Sequence, residues 1–272
     1  LSRLVLPAAY ASVAVLYSQA IMRTLPFGSG STSDETTIPG YLQQMFDNST
    51  NVNVEIINAG IPGAHSTNEL NLIKNKLINY KPDLIVVYDG WNDLRDSLSS
   101  LKQTSTVKNS TLFDDITDTI WYSISKYRTI QVIQKFTYYS QDTDWEHRVI
   151  YEHNYDEIHE KIKIWESNMN EICNSSDFQS LIILQPISGS SNRTSTEFES
   201  MKYLQNDGKN MNNSLNLYSE KLQKLNCKNT ADFTNVFDNV DGPIFYDEGH
   251  VTDRGNLIIA KKLFELLATN IS

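Results

Sequence analysis

The sequence predicts an α/β fold built on a doubly wound, mainly parallel sheet, and three observations predict it. Asp83–Tyr88 (DLIVVY) and Leu181–Leu184 (LIIL) are short, continuously apolar runs of the kind found in strands covered on both faces. Strand-like and helix-like segments alternate along the rest of the chain. The 272 residues hold no internal repeat, no low-complexity tract and no linker that would demand a second domain.

From the N-terminus, Leu4 to Met22 carries no charge and is flanked by Arg3 and Arg23. At ~1.5 Å per residue a helix of that length approaches the thickness of a bilayer core. Pro7 interrupts its start, and Ser12, Ser18 and Gln19 lower its hydrophobicity. Three readings stand side by side: a signal anchor, a buried first helix, or a strand around Val13–Tyr17 that enters the core. Residues 1–26 are therefore set apart as an anchor or first element, and 27–272 form a single domain.

Val52–Ile57 reads as a strand, Thr67–Tyr80 as an amphipathic helix and Asp83–Tyr88 as a buried strand. The stretch from Leu94 to Asn170 has helical periodicity and many aromatics, among them Trp121, Tyr122, Tyr138, Tyr139, Trp145 and Trp165. Packing against the sheet is its plain reading, and a cap over a cleft the sharper one. Leu181–Leu184 is a strand that Gln185-Pro186 stops, followed by a Ser-, Gly- and Asn-rich surface loop over Ser188–Thr196. A helix is expected from Glu197 to Leu225 with a break near Gly208, then a last strand at Phe233–Phe237 and a closing helix at Asp253–Ala268.

Hydrophobic residues make up 40% of the chain and charged ones 21%, which excludes a disordered protein. A net charge of −10 without a basic stripe argues against nucleic acid as a partner. Cys173 and Cys227 are too few for a Cys-rich zinc site and can form one disulfide or stay two buried thiols. Six Asn-X-Ser/Thr sequons begin at Asn48, Asn109, Asn174, Asn192, Asn212 and Asn270. With the cysteine pair and the apolar N-terminal stretch they point to an extracellular or membrane-anchored location.

Ligands of parallel α/β sheets gather at the carboxyl ends of the strands, so the segments that follow each strand carry the chemistry. After Val52–Ile57 comes Asn58-Ala59-Gly60-Ile61-Pro62-Gly63-Ala64-His65-Ser66-Thr67, a glycine-bearing loop that runs into a helix. Such a loop brings backbone N–H groups close to developing negative charge, although glycine also serves there for steric reasons alone. After the next strand, Asp89-Gly90-Trp91-Asn92-Asp93 sets an Asn amide where it can face an oxyanion; a helix cap or Asx turn is the alternative. Ahead of the closing helix stands Tyr246-Asp247-Glu248-Gly249-His250-Val251-Thr252. A carboxylate three residues before a histidine can hold its tautomer and support the imidazolium, which makes the pair a general base. A metal site would need further ligands, and no HExxH-like partner occurs. His147, His153 and His159 read as surface or packing residues.

In that order and each after an expected strand, NAGIPG, GWND and DEGH resemble blocks II, III and V of the SGNH/GDSL hydrolases. DETTIPGYLQQMF resembles the stretch behind that family's nucleophile, so the likeness covers roughly Asp34 to the C-terminus. It implies a three-layer α/β/α sandwich with a mainly parallel, flavodoxin-like sheet. It further implies ester hydrolysis without cofactor or metal, with His250 as base, Asp247 as its orienting carboxylate, and an oxyanion hole from the Gly63 backbone N–H and the Asn92 side chain. The family's first block, a serine in GDS or GGST after the first strand, has no intact counterpart. Ser29-Gly30-Ser31-Thr32 places Ser31 at the serine of GxST, and Ser31 is assigned as nucleophile. Phe27-Gly28 resembles the FG that often trails GGST and would place Thr24 there instead; Ser29 is a further alternative, and an ordinary serine-rich loop is the plain one. The expected function is a serine esterase that cleaves a small acyl ester, such as an O-acetyl group on a carbohydrate. A catalytically inactive binding protein of the same fold and an O-acyltransferase are the alternatives.

Overall fold

The structure is a computed structural model that describes residues 11–17, 31–49, 54–61, 63–99, 155–196 and 208–271. Five strands, β1 (Ala11–Tyr17), β2 (Val54–Asn58), β3 (Leu84–Asp89), β4 (Gln179–Leu184) and β5 (Thr230–Asp232), form one sheet in the order β2-β1-β3-β4-β5. Every pairing is parallel. This is the flavodoxin-like order, in which the chain leaves β1 to one side for β2 and returns on its other side for β3. Of the three readings of the N-terminal stretch, the strand is what Ala11–Tyr17 forms, with Val15 beside Asn58 and Tyr17 beside Tyr88. Among the described residues no helix is long and apolar enough to cross a membrane.

Helices α1 (Ile38–Ser49) and α6 (Asp253–Ile271) cover one face of the sheet. The other face carries α2 (Ser66–Asn75), α3 (Trp91–Ser99), α4 (Tyr155–Cys173) and α5 (Gly208–Leu222). The alternation of side chains along a strand divides the core accordingly. Leu84, Val86 and Tyr88 of β3 join Leu181 and Ile183 of β4 under α1 and α6. Ile85 and Val87 join Ile182 and Leu184 on the opposite side, under α2, α4 and α5. All six residues of β3 are buried, which is why that run reads as continuously apolar.

The periodicity reading assigns no helix to 38–49, yet α1 forms there. Ile38, Leu42 and Phe46, spaced by four, line its buried face, and Pro39 sits in the first turn, where a missing N–H costs nothing. Phe46 meets Phe264 of α6 edge to face at 4.9 Å. The helix expected over 67–80 ends at Asn75 and passes into a 3-10 turn, Leu77–Tyr80. Within 197–225 the helix starts at Gly208, and residues 197–207 lie outside the described ones, as do 100–154 of the aromatic region.

The last strand is corrected. β5 spans Thr230–Asp232, and Phe233–Phe237 leads into turns. The Asp232 carboxylate accepts the N–H of Thr234 at 2.9 Å and its hydroxyl at 2.6 Å, an Asx turn that ends the strand. Phe233 and Phe237 are apolar because they plug the core beside Phe245, not because they pair in the sheet. Cys173 and Cys227 form a disulfide that ties the end of α4 to the approach to β5.

Candidate active site

The segment between Phe245 and Val251 closes on itself. An isolated antiparallel bridge joins these two residues, and the Tyr246 N–H donates to the His250 carbonyl at 2.8 Å. Inside this loop the Asp247 carboxylate lies 2.7 Å and 2.5 Å from His250 Nδ1. The same carboxylate accepts the backbone N–H of His250 at 2.8 Å and of Gly249 at 3.0 Å. Burial pushes the Asp247 carboxyl up, but the hydrogen bond and charge of His250 and the two backbone N–H groups outweigh it, and it lies below its usual range. An ionised carboxylate only accepts, so Nδ1 carries a proton, and in the neutral imidazole Nε2 is then the basic nitrogen. His250 is 3% exposed, and its buried Nε2 has no hydrogen-bond partner among the described residues. The arrangement is a base held in one tautomer, with its basic nitrogen uncommitted.

Across from it lies the turn between β3 and α3. Asn92 is buried, and its Nδ2 donates to the carbonyl of Ala64 at 2.6 Å. That bond sets the amide of Asn92 against the residue next to Gly63. Gly63 has φ +71°, a left-handed conformation that suits glycine, and a Cβ there would meet nothing within 4 Å, so its backbone edges open space. Asp93 does not cap its own helix: its carboxylate accepts the N–H of Ser66 at 2.8 Å and the Ser66 hydroxyl at 2.6 Å, in the first turn of α2. Asn92 and Asp93 thus clamp the end of the 58–65 loop from both sides of Ala64-His65.

A third contact brings in the base. A Cβ on Gly249 would lie 2.7 Å from Cδ1 and Nε1 of Trp91, so only glycine lets the His250 loop rest on that indole. The Ser188 N–H, beyond the end of β4, donates to the Glu248 carbonyl at 2.7 Å and fixes the loop from the other side. Asp247, His250, Asn92 and Gly63 are in this way gathered by neighbour-to-neighbour contacts at the carboxyl ends of the strands.

Ser31, the expected nucleophile, is not joined to them. Its hydroxyl accepts Nδ2 of Asn256 in α6 at 2.8 Å, and among the described residues no hydroxyl lies on His250 Nε2. The adjoining Thr32 is fixed to Asp253 by its N–H at 2.9 Å and its hydroxyl at 2.6 Å. The segment is held there because it leads directly into the 3-10 turn Asp34–Thr36 and α1, which packs along α6. Thr24 and Ser29 lie outside the described residues. His159 is exposed on α4, as a surface histidine should be; His147 and His153 lie outside the described residues.

Several residues that shape the site have no signature in the sequence. Trp91 reads as an apolar filler, Ser66 as one serine among many, and Asp93 as a cap for the helix it belongs to. Asp89, the last residue of β3, is fully buried and accepts Trp165 Nε1 at 3.0 Å through Oδ2. The one available signal was a charged residue ending an otherwise apolar strand, since a buried carboxylate needs a donor.

A parallel sheet of order 2-1-3-4-5 between two helical layers, with the site at its carboxyl edge, is the three-layer SGNH hydrolase architecture. The chain belongs to the GDSL-like lipase/acylhydrolase family, whose model matches residues 21–263. No curated protein matches it at a significant level. Among solved structures it is similar to the acetyl xylan esterase AlAXEase, at 14% identity over 94% of this chain and 99% of that one, with a TM-score of 0.53. The acetylxylan esterase Axe2 from Geobacillus stearothermophilus shares 12% identity over 95% and 94% of the two chains, with a TM-score of 0.51. A two-domain esterase active on acetylated mannans, CEX, shares 11% identity over 97% of this chain and 50% of its own length, with a TM-score of 0.53.

Proposed function

We propose that the protein is a serine-type esterase that removes small acyl groups, acetyl foremost, from a carbohydrate. The observation that carries this reading is the Asp247-held imidazole of His250, whose buried Nε2 is uncommitted beside the loops of Asn92 and Gly63. In this reading a hydroxyl attacks the ester carbonyl, Nε2 takes its proton, and the imidazolium formed is supported by Asp247. The tetrahedral oxyanion is met by the Gly63 N–H and the Asn92 amide, and the proton returns from Nε2 to the leaving alcohol. Water then repeats the cycle on the acyl-enzyme. The nucleophile belongs to the segment between the end of β1 at Tyr17 and Ser31, which supplies Ser18, Thr24, Ser29 and Ser31. Similarity to esterases of acetylated xylan and mannan supports the carbohydrate substrate, and the disulfide with the sequons supports an oxidising, extracellular or membrane-anchored setting.

Hydrolysis of p-nitrophenyl acetate and of acetylated xylan by the wild type and by His250→Ala tests the base. The variant is expected to lose at least about 10³-fold in kcat, and equal rates would remove the assignment. Fluorophosphonate labelling followed by peptide mapping locates the nucleophile between residues 18 and 31. A second reading, a binding protein of the same fold, is favoured by the altered first block. Glycan binding with neither labelling nor hydrolysis decides for it, and transfer of the acyl group to an added alcohol decides for an acyltransferase.

A further inference from the structure

Glu69, one turn into α2, is 2% exposed, and both its carboxyl oxygens are buried without a hydrogen-bond partner. A lone ionised carboxylate in such a place is far too costly to keep, so the group must be neutral or find a cation. Among the described residues the charged groups that act on it are Asp89 from β3 and Asp93 from α3, both buried and both acidic, and no cation is among them. From α4, which also packs on α2, the uncharged Trp165 and Asn168 reach this region: Trp165 donates to Asp89, and Asn168 Nδ2 donates to the Ser66 hydroxyl at 3.0 Å. The ion pair that does join α2 to α4, Lys74 with Glu171, lies half-exposed farther along the helices. On α2 itself His65, at the N-cap, has its Nδ1 3.4 Å from Asn68. Among the described residues these acids do not form a group arranged to hold a metal ion. Burial first, then Asp89 and Asp93, hold the Glu69 carboxyl well above the usual carboxylate range.

Its position connects it to catalysis. Asp89 and Asp93 are the two ends of the five-residue segment that carries Asn92. Asp93 in turn grips Ser66, three residues before Glu69 and three after Gly63. A third negative charge here would add to those of Asp89 and Asp93 at the ends of the segment that carries Asn92, oppose negative charge developing at that turn, and push α2 away from it.

We propose that Glu69 is a positioning residue for the oxyanion donors that works as a neutral carboxylic acid between Asp89 and Asp93, so that its ionisation shuts down catalysis on the alkaline side. This rests on the esterase reading. It touches no substrate, and its effect runs through the placement of Asn92 and Gly63 and through the field they feel.

The test follows kcat, KM and the thermal midpoint of the wild type, Glu69→Gln and Glu69→Met across the pH range in which the wild type stays folded. With p-nitrophenyl acetate, wild-type kcat should fall on the alkaline side by about tenfold per pH unit beyond its turn, with KM changing by no more than about twofold. Each neutral variant should hold its own maximum through that range. A carboxyl raised above its unfolded value gives its full stabilisation below the ordinary carboxylate pKa and loses it as pH rises towards the folded one. The wild-type midpoint should therefore decline over that window and the variants' midpoints should not. Variants that flatten the stability profile but keep the alkaline fall in kcat overturn the positioning role and leave a structural proton only. Variants that change neither profile overturn the proposal altogether. A wild type that hydrolyses no ester at any pH removes the esterase reading and the catalytic role with it, and the stability profiles then still report whether Glu69 is held protonated.

Discussion

The Asp247 carboxylate binds one imidazole nitrogen and two backbone N–H groups, all within its own four-residue loop. Because its pKa is depressed in the folded state, its contribution to stability is present above the ordinary carboxylate pKa and disappears as pH falls through the lower folded value. Urea-unfolding midpoints from about pH 6 to about pH 3 should show the wild type losing that increment, and Asp247→Asn should lack it throughout the window. The Asn92 amide ties the turn to Ala64, and in the proposed reading it also meets the oxyanion. Asn92→Ala is expected to lower kcat by about 10²–10³-fold and leave KM nearly unchanged, because the oxyanion exists only in the transition state. A parallel loss in KM would mean that the amide binds the ground state instead. The contact of Asp247 with His250 was legible in the sequence because the whole pair lies within one loop. The bond of Asn92 to Ala64 was not, because its partner is 28 residues away and leaves no mark on the local pattern.

At the level of elements, α4 does more than cover the sheet. Trp165 is completely buried, packs edge to face on Tyr218 with ring centroids 5.3 Å apart, and donates to Asp89 at the tip of β3. Trp165→Phe keeps most of the packing and removes the donor, so it should destabilise the fold by about 1–3 kcal/mol in urea titrations. A change within error would mean that water or another donor replaces the indole. The strands legible from sequence were those with long apolar runs, β3 and β4, where burial on both faces writes itself into every position. β5 was not, because three residues with the burial pattern exposed, half-buried, exposed carry no such signal, while the neighbouring Phe233 and Phe237 carry a stronger one for a different reason. α1 was missed where Thr36-Thr37-Ile38-Pro39-Gly40 looks like a turn. Its helicity comes from what Leu42 and Phe46 bury against α6, a tertiary effect.

For the molecule as a whole, the parallel α/β architecture was legible from alternation alone, and the order of the strands came with the family resemblance. The altered first block was legible as an anomaly only, because its outcome depends on where the chain between β1 and α1 runs. Cys173 and Cys227 enclose 54 residues of separation that include β4 and α5, so their bond restrains the half of the sheet opposite β2. Replacing both cysteines by serine should cost about 2–5 kcal/mol of unfolding free energy, and a reductant should lower the thermal midpoint of the wild type but not of the double variant. Identical midpoints with and without reductant would show that the bridge adds nothing to stability. The resting place of Gly249 on Trp91 bears on the assembly in a different way. The loop of His250 and the turn of Asn92, far apart in the chain, meet at this contact, so a larger residue at position 249 would part the two segments in a single step.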